Sequence, residues 1–235
     1  MHDIEVENLN KSFGRRRVLK KVSFSVNKGG FLSIFGPNGA GKTTLVKILS
    51  TIEKPSDGRV VISQIVLGED PTEIRKRIGL ISHNPLLYLD LSAYENLEFY
   101  GTLYGVSGIK ERAEELLDKV ELTHRRHDMV RTFSKGMAQR LAIARALMHK
   151  PDILFLDEPH SGLDPHAVDI LDGLIESIRG NHTFIMVTHD LEKGLSLSDS
   201  VMIIEDGKII LHKQKDEIDK DEFRETYRQA VRGMG

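Results

Sequence analysis

The run Gly36-Pro37-Asn38-Gly39-Ala40-Gly41-Lys42-Thr43, followed by Thr44, has the residue types and spacing to hold a polyphosphate. Its glycines let successive backbone N–H groups turn toward one anion. The Lys42 ammonium reaches the terminal phosphates, and the Thr43 hydroxyl is a ligand for Mg²⁺. Such a metal needs a carboxylate as well. Asp157 stands at the end of the apolar run Ile153 to Leu156, where a parallel sheet presents its ligand-facing edge. Glu158 follows at once, and strand alternation turns it in a different direction. One carboxylate then serves the metal while its neighbour orients and deprotonates a water for in-line attack on a phosphoryl group. His189 in "VTHD" follows another apolar run, Phe184 to Val187, and reaches the same edge to meet the terminal phosphate and the water.

Positioning these groups requires strands that end together. Phe31 to Phe35 reads as a strand before the glycine-rich turn, and Thr43 to Leu49 as the helix after it. Ile78 to Ile81, Ile153 to Leu156 and Phe184 to Val187 are apolar without alternation, as expected for parallel strands buried on both faces. Ile4, Val6, Val22, Phe24 and Val26 alternate instead and predict half-buried antiparallel strands. "EDG" between Val201–Ile204 and Lys208–Leu211 predicts a hairpin. Residues 85–150 read as mostly helical: Ser92 and Glu95 form a capping box, and Lys110 to Val120 is a second helix. Asp164 caps a further helix with Pro165 at its first position. The expected fold class is α/β: a P-loop NTPase core with a parallel sheet, an N-terminal antiparallel β-subdomain and an inserted α-helical subdomain. The expected division is 1–84 with 151–215 as core, 85–150 as the insertion and 216–235 as a tail. In that tail Phe223, Tyr227 and Val231 mark a docked terminal helix.

The composition narrows the partners. A formal net charge of −2 over 235 residues, with no long basic block, gives no sign of nucleic acid as a partner. The absence of cysteine excludes disulfides and thiolate metal sites. No N-terminal segment reads as a signal peptide, and no apolar run approaches the ~18 residues of a membrane span. Any membrane role is expected to run through a partner.

"RTFSKGMAQRLAIARAL", from Arg131 to Leu147, is a helix whose capped tip carries Ser134 and Gly136 and offers unpaired N–H groups to an anion. Together with the P-loop, Asp157, Glu158 and "SGLD" at 161–164, it makes the chain resemble the ATP-binding-cassette (ABC) ATPases over about Ile4 to Leu211. In that resemblance Phe13 stands where an aromatic stacks on adenine, His189 where the family has its switch histidine, and Asp164 closes the D-loop. "FSKGM" occupies the place of the family's LSGGQ signature, with Ser134 and Gly136 matching and Lys135 and Met137 departing. The resemblance implies ATP and Mg²⁺ as cofactors and two subunits packed head to tail. The signature of each then grips the γ-phosphate held by the other, on the cytoplasmic face of a membrane and beneath an integral membrane permease. His83 stands where the family has a glutamine that contacts Mg²⁺ and the attacking water, with Asn84 beside it. An imidazole there predicts turnover unusually sensitive between about pH 6 and 7.

His160, where the family has a small residue, reads as a tolerated substitution, and His124 and His127 as a solvated loop. The run Leu86 to Leu89 fits either burial in the insertion or docking of the permease. "FSKGM" and "ISHNPLLYLDLSAYENLEFYGTLYGV" resemble export-type ATPases, particularly the haem-exporter subunit of cytochrome c maturation and ABC-2 relatives. A soluble family member serving DNA repair or translation is the alternative, but it carries a long coiled coil or a second cassette. No heptad run lies between Lys42 and Ser134. Glu158 speaks against a non-catalytic sensor.

Overall fold

The computed structural model describes residues 1–82 and 84–232. Two long strands open the chain, β1 (His2–Phe13) and β2 (Arg16–Asn27), paired antiparallel. The alternating Ile4, Val6, Val22, Phe24 and Val26 are all buried, because period two places them on one face. β4 (Asp57–Ile62) and β5 (Ile65–Val66) complete this four-stranded sheet in the order β2-β1-β4-β5.

The second sheet has the order β10-β9-β3-β8-β7-β6. β3 (Phe31–Phe35), β6 (Ile78–Ser82), β7 (Ile153–Asp157), β8 (Thr183–Val187) and β9 (Ser200–Glu205) run parallel, and β10 (Lys208–Gln214) returns antiparallel at the edge. Every residue of β3, β7 and β8 is buried. The reason is coverage on both faces, which is why their sequences do not alternate. The β9–β10 turn uses Asp206 and Gly207, both at positive φ (45° and 76°), the twist a tight hairpin demands.

One apolar core fills the space between the two sheets and takes in helix α1 (Lys42–Leu49). The other face of the large sheet is covered by α3 (Ala93–Leu103), α4 (Ile109–Lys119), α5 (Lys135–Leu147) and α6 (Pro165–Ile178), with α2 (Pro71–Arg77) before them in the chain. The capping box at the head of α3 is complete. Ser92 Oγ accepts from Glu95 N–H at 3.2 Å, and Glu95 Oε2 accepts from Ser92 N–H at 2.7 Å. Hydrogen bonding from Ser92, its backbone N–H first, lowers the pKa of the Glu95 carboxyl.

A third, smaller core gathers around Phe35, the last residue of β3. It holds α7 (Leu191–Leu197) and α8 (Lys220–Arg232) to the root of the glycine-rich turn. Phe223 meets Phe35 edge-on with centroids 5.3 Å apart, and Tyr227 does so at 6.3 Å. The terminal helix is docked, as its apolar spacing predicts.

Candidate functional site

β3, β8 and β7 are adjacent, so their carboxyl ends deliver the P-loop, His189 and the Asp157–Glu158 pair to one edge. Gly36 and Gly41 are glycine for steric reasons. A Cβ on Gly36 would stand 2.1 Å from the Ile204 carbonyl oxygen, and one on Gly41 2.9 Å from that of Val18. Both residues sit at positive φ (148° and 107°). Lys42 is folded back over the loop, its Nζ donating to Gly36 O at 2.6 Å and Pro37 O at 2.9 Å. Burial lowers the Lys42 pKa, and the charges of Glu158 and Asp157 act in the opposite direction.

Thr43 Oγ1 donates to Asp157 Oδ1 at 3.3 Å, so the hydroxyl and carboxylate share one spot at the start of α1. Glu158 leaves the strand. Its φ of 53° is left-handed, so its direction follows from this backbone turn and not from the strand alternation the sequence suggests. Its N–H donates to Val187 O at 2.9 Å, and its Oε2 lies 2.7 Å from His189 Nδ1. A carboxylate can only accept, so Nδ1 carries the proton and Nε2 is left to face a ligand.

A cleft of about 490 Å³ runs beside these groups, lined by Phe13, Asn38, Gly39, Lys42, Thr43 and Thr44 among others. Phe13 is 48% exposed. Lys11 Nζ stands 4.5 Å from its ring centroid, pinned there by Glu53 at 2.9 Å, so Phe13 has one face occupied by a cation. Arg16 and Val18 also line this cleft. The sequence reading missed them, although the pairing of Arg16 with Phe13 across the first hairpin is the signal that places it there. A second cleft joins Gly36, Pro37, Glu158 and His189 to Tyr227 and Val231 of α8. Ala40 is wholly buried in the first core and serves the loop's packing.

Ser134, Gly136 and Asp164 line neither cleft. Ser134 caps α5, its Oγ accepting from Met137 N–H at 3.2 Å. Gly136 is pressed against α6: a Cβ there would lie 2.9 Å from Asp164 Oδ2. The Asp164 carboxylate is engaged as the α6 cap, accepting from Ala167 N–H at 2.9 Å. The α5 tip thus packs on the D-loop of its own chain and stands outside the clefts that its own P-loop lines. His83 lies outside the described residues. His124 and His127 are exposed, and no group of three potential metal ligands occurs among the described residues.

Known proteins are similar to this chain in sequence and fold. The chain is 37% identical over 210 residues to the linearmycin resistance ATP-binding protein LnrL of Bacillus subtilis, covering 88% of this chain and 68% of that one. It is 38% identical over 214 residues to the lantibiotic transport ATP-binding protein SrtF of Streptococcus pyogenes, covering 91% of each. Among solved structures, the ATP-binding cassette MJ0796, described as a dimer in a post-hydrolysis state with ADP and Pi, superposes with a TM-score of 0.82. It is 29% identical, covering 90% of this chain and 98% of that one. Residues 19–161 match the family model described as ABC transporter. The chain belongs to the ABC transporter family, as an ATP-binding subunit that hydrolyses its nucleotide.

Proposed function

We propose that this chain is the motor of an exporter, in which two copies close on ATP beneath a membrane permease and reopen after hydrolysis. The observation that carries the two-subunit reading is the position of the α5 tip. Ser134 and Gly136 line neither of the clefts that their own P-loop lines, so the anion their N–H groups suit comes from a second copy. The dimer described for MJ0796 supports it. Phosphates lie along Gly36 to Thr44, with Lys42 turning from the Gly36 and Pro37 carbonyls to the β- and γ-phosphates. Thr43 and Asp157 offer the oxygen donors that suit Mg²⁺, whose charge offsets that of the phosphates. Glu158 takes the proton of the attacking water. His189, held through Nδ1, directs Nε2 to the γ-phosphate. His83 acts on the same water in place of the usual glutamine. Asp164 serves the shared interface through the D-loop.

Phe13 is the adenine platform, using the ring face opposite Lys11. Phe13→Ala raises the KM for ATP about three- to tenfold with kcat nearly unchanged, the size of one stacking contact. Phe13→Tyr restores it. Steady-state kinetics decide.

The division into a core (1–84 and 151–215), a helical arm (85–150) and a tail (216–235) is part of the same reading. Its support is that α3 to α5 pack together on one face of the large sheet. The arm carries an exposed apolar surface. Tyr88, Leu89, Phe99 and Leu103 are 49%, 57%, 40% and 64% exposed, and Tyr88 meets Phe99 edge-on at 4.8 Å. Such a patch marks a docking face, and cytoplasmic helices of a permease are its proposed occupant, placing the chain at the cytoplasmic face of the membrane. No helix among the described residues is long and apolar enough to cross a membrane. Tyr88→Glu combined with Leu103→Glu leaves nucleotide affinity unchanged and abolishes co-purification with a polytopic membrane protein. Retention of the variant in solubilised membranes at the wild-type level would count against the docking face.

Export is supported by the relatives named for linearmycin resistance and lantibiotic transport. A haem-related cargo in cytochrome c maturation is the narrower reading, and it rests on the "FSKGM" and post-β6 stretches alone.

A further inference from the structure

Three side chains from three separate segments meet at Asp172, two of them a few residues from Glu158 and His189 in the chain. His160 stands two residues after Glu158, and its Nε2 lies 2.8 Å from Asp172 Oδ1. Lys193, four residues after His189, pairs with Asp172 Oδ2. The side chains of His160 and Asp172 are only 12% and 21% exposed, so this contact is better shielded from water and salt than the chain's surface ion pairs.

The anchor itself is rigid. Asp172 follows the fully buried Leu171 on α6, a helix that Leu171, Leu174 and Ile175 pin into the core. Lys193 is fixed in its backbone too, its N–H donating to Asp190 Oδ1 at 3.0 Å in the cap of α7. The pairing with Asp172 raises the Lys193 pKa.

Glu158 needs such support. With φ at 53° it has left the strand, and β7 alone does not dictate where its carboxylate points. The turn that follows is tied within itself by Ser161 N–H to Glu158 O at 3.1 Å and Leu163 N–H to His160 O at 3.2 Å. His189 is 69% exposed in its side chain and likewise depends on the start of α7 for its place.

We propose that Asp172 is the common anchor of the Glu158–His189 pair: through His160 it holds the turn that aims Glu158, and through Lys193 the helix start that carries His189. His160, Asp172 and Lys193 are then positioning residues for hydrolysis, and the inference rests on the roles given above to Glu158 and His189. A displacement of 1 Å at a reacting group costs up to about a hundredfold in rate, so an anchor shared by both partners acts on kcat and not on binding.

The test is a set of substitutions read by kcat, KM for ATP and thermal midpoint. Asp172→Ala lowers kcat about tenfold and leaves KM within about twofold. His160→Ala and Lys193→Ala each lower kcat less, and combining either with Asp172→Ala costs no more than Asp172→Ala alone. His160→Gln, which keeps a side-chain donor, recovers most of what His160→Ala loses. Should Asp172→Ala fold poorly, the isosteric Asp172→Asn still removes the negative charge that pairs with Lys193 and lowers kcat several-fold. Unchanged kcat in the Asp172 variants, a loss confined to KM or to the thermal midpoint, or fully additive double variants would overturn the anchor. Glu158→Gln measured alongside separates the two levels. If that variant is active, the reading of the site falls. If it is dead while the Asp172 variants run at full rate, only the anchor falls.

Discussion

Glu158→Gln keeps its affinity for ATP and loses turnover by a factor of about 10²–10⁴, the range a positioned general base contributes. The amide is nearly the same size as the carboxylate, so the left-handed turn at Glu158 and its N–H bond to Val187 O survive. What disappears is the acceptor for the water's proton, and the 2.7 Å contact to His189 becomes a neutral hydrogen bond. Without hydrolysis the ATP that joins two copies is not consumed, so the variant accumulates as a nucleotide-bound dimer. Sedimentation in MgATP therefore shows dimers for Glu158→Gln where the wild type equilibrates toward monomers. A variant that stays monomeric and hydrolyses ATP normally would remove Glu158 from its role.

Lys42→Ala acts one step earlier, on binding. Lys42 is 7% exposed, and its ammonium makes two charge-assisted hydrogen bonds to the Gly36 and Pro37 carbonyls. When phosphate replaces those carbonyls, the contact becomes ion to ion, worth about 1.5–3 kcal/mol for each such hydrogen bond. The expected loss is about ten- to a hundredfold in ATP affinity, with AMP binding far less affected because Lys42 serves the outer phosphates. Removing Lys42 also takes a positive charge from beside Asp157 and Glu158, so their repulsion of the nucleotide adds to the loss. Fluorescent-nucleotide titration measures it. Equal losses for ATP and AMP would mean that Lys42 holds the loop's shape and not the phosphates.

Much of this was legible in the sequence, for physical reasons that differ from place to place. The runs at β3, β7 and β8 do not alternate because both their faces are covered, and their lengths identify them as strands. Ser92–Glu95 and Asp164–Pro165 are local capping chemistry that needs no tertiary context, and both form as expected. Glu158 shows where local rules stop. Strand alternation suggests its direction, but the chain has already turned into a left-handed conformation there. Asp164 caps α6, as its place before Pro165 suggests, and which part of a two-copy site its loop serves is not written in that local pattern. Tyr227 and Val231 reach the cleft only because Phe223 seats α8 on Phe35, a contact spanning most of the chain and invisible in any local window. His160 carried no pattern at all. Its meaning lies in Asp172 and Lys193, which the fold brings to it.

Subunit mixing tests most directly whether the hydrolytic centre is shared between two copies. Lys42→Ala disables a P-loop and leaves its α5 tip intact. Ser134→Arg fills the α5 tip, where Ser134 is exposed, and leaves its P-loop intact. Each variant alone is expected to hydrolyse ATP at background rate at limiting nucleotide. Mixed in equal amounts, half of the dimers pair one of each and hold one complete site, so activity returns to about a quarter of the wild-type rate. A mixture no faster than the sum of its parts, with Ser134→Arg alone running at the wild-type rate, would show that one copy of the chain holds the whole centre.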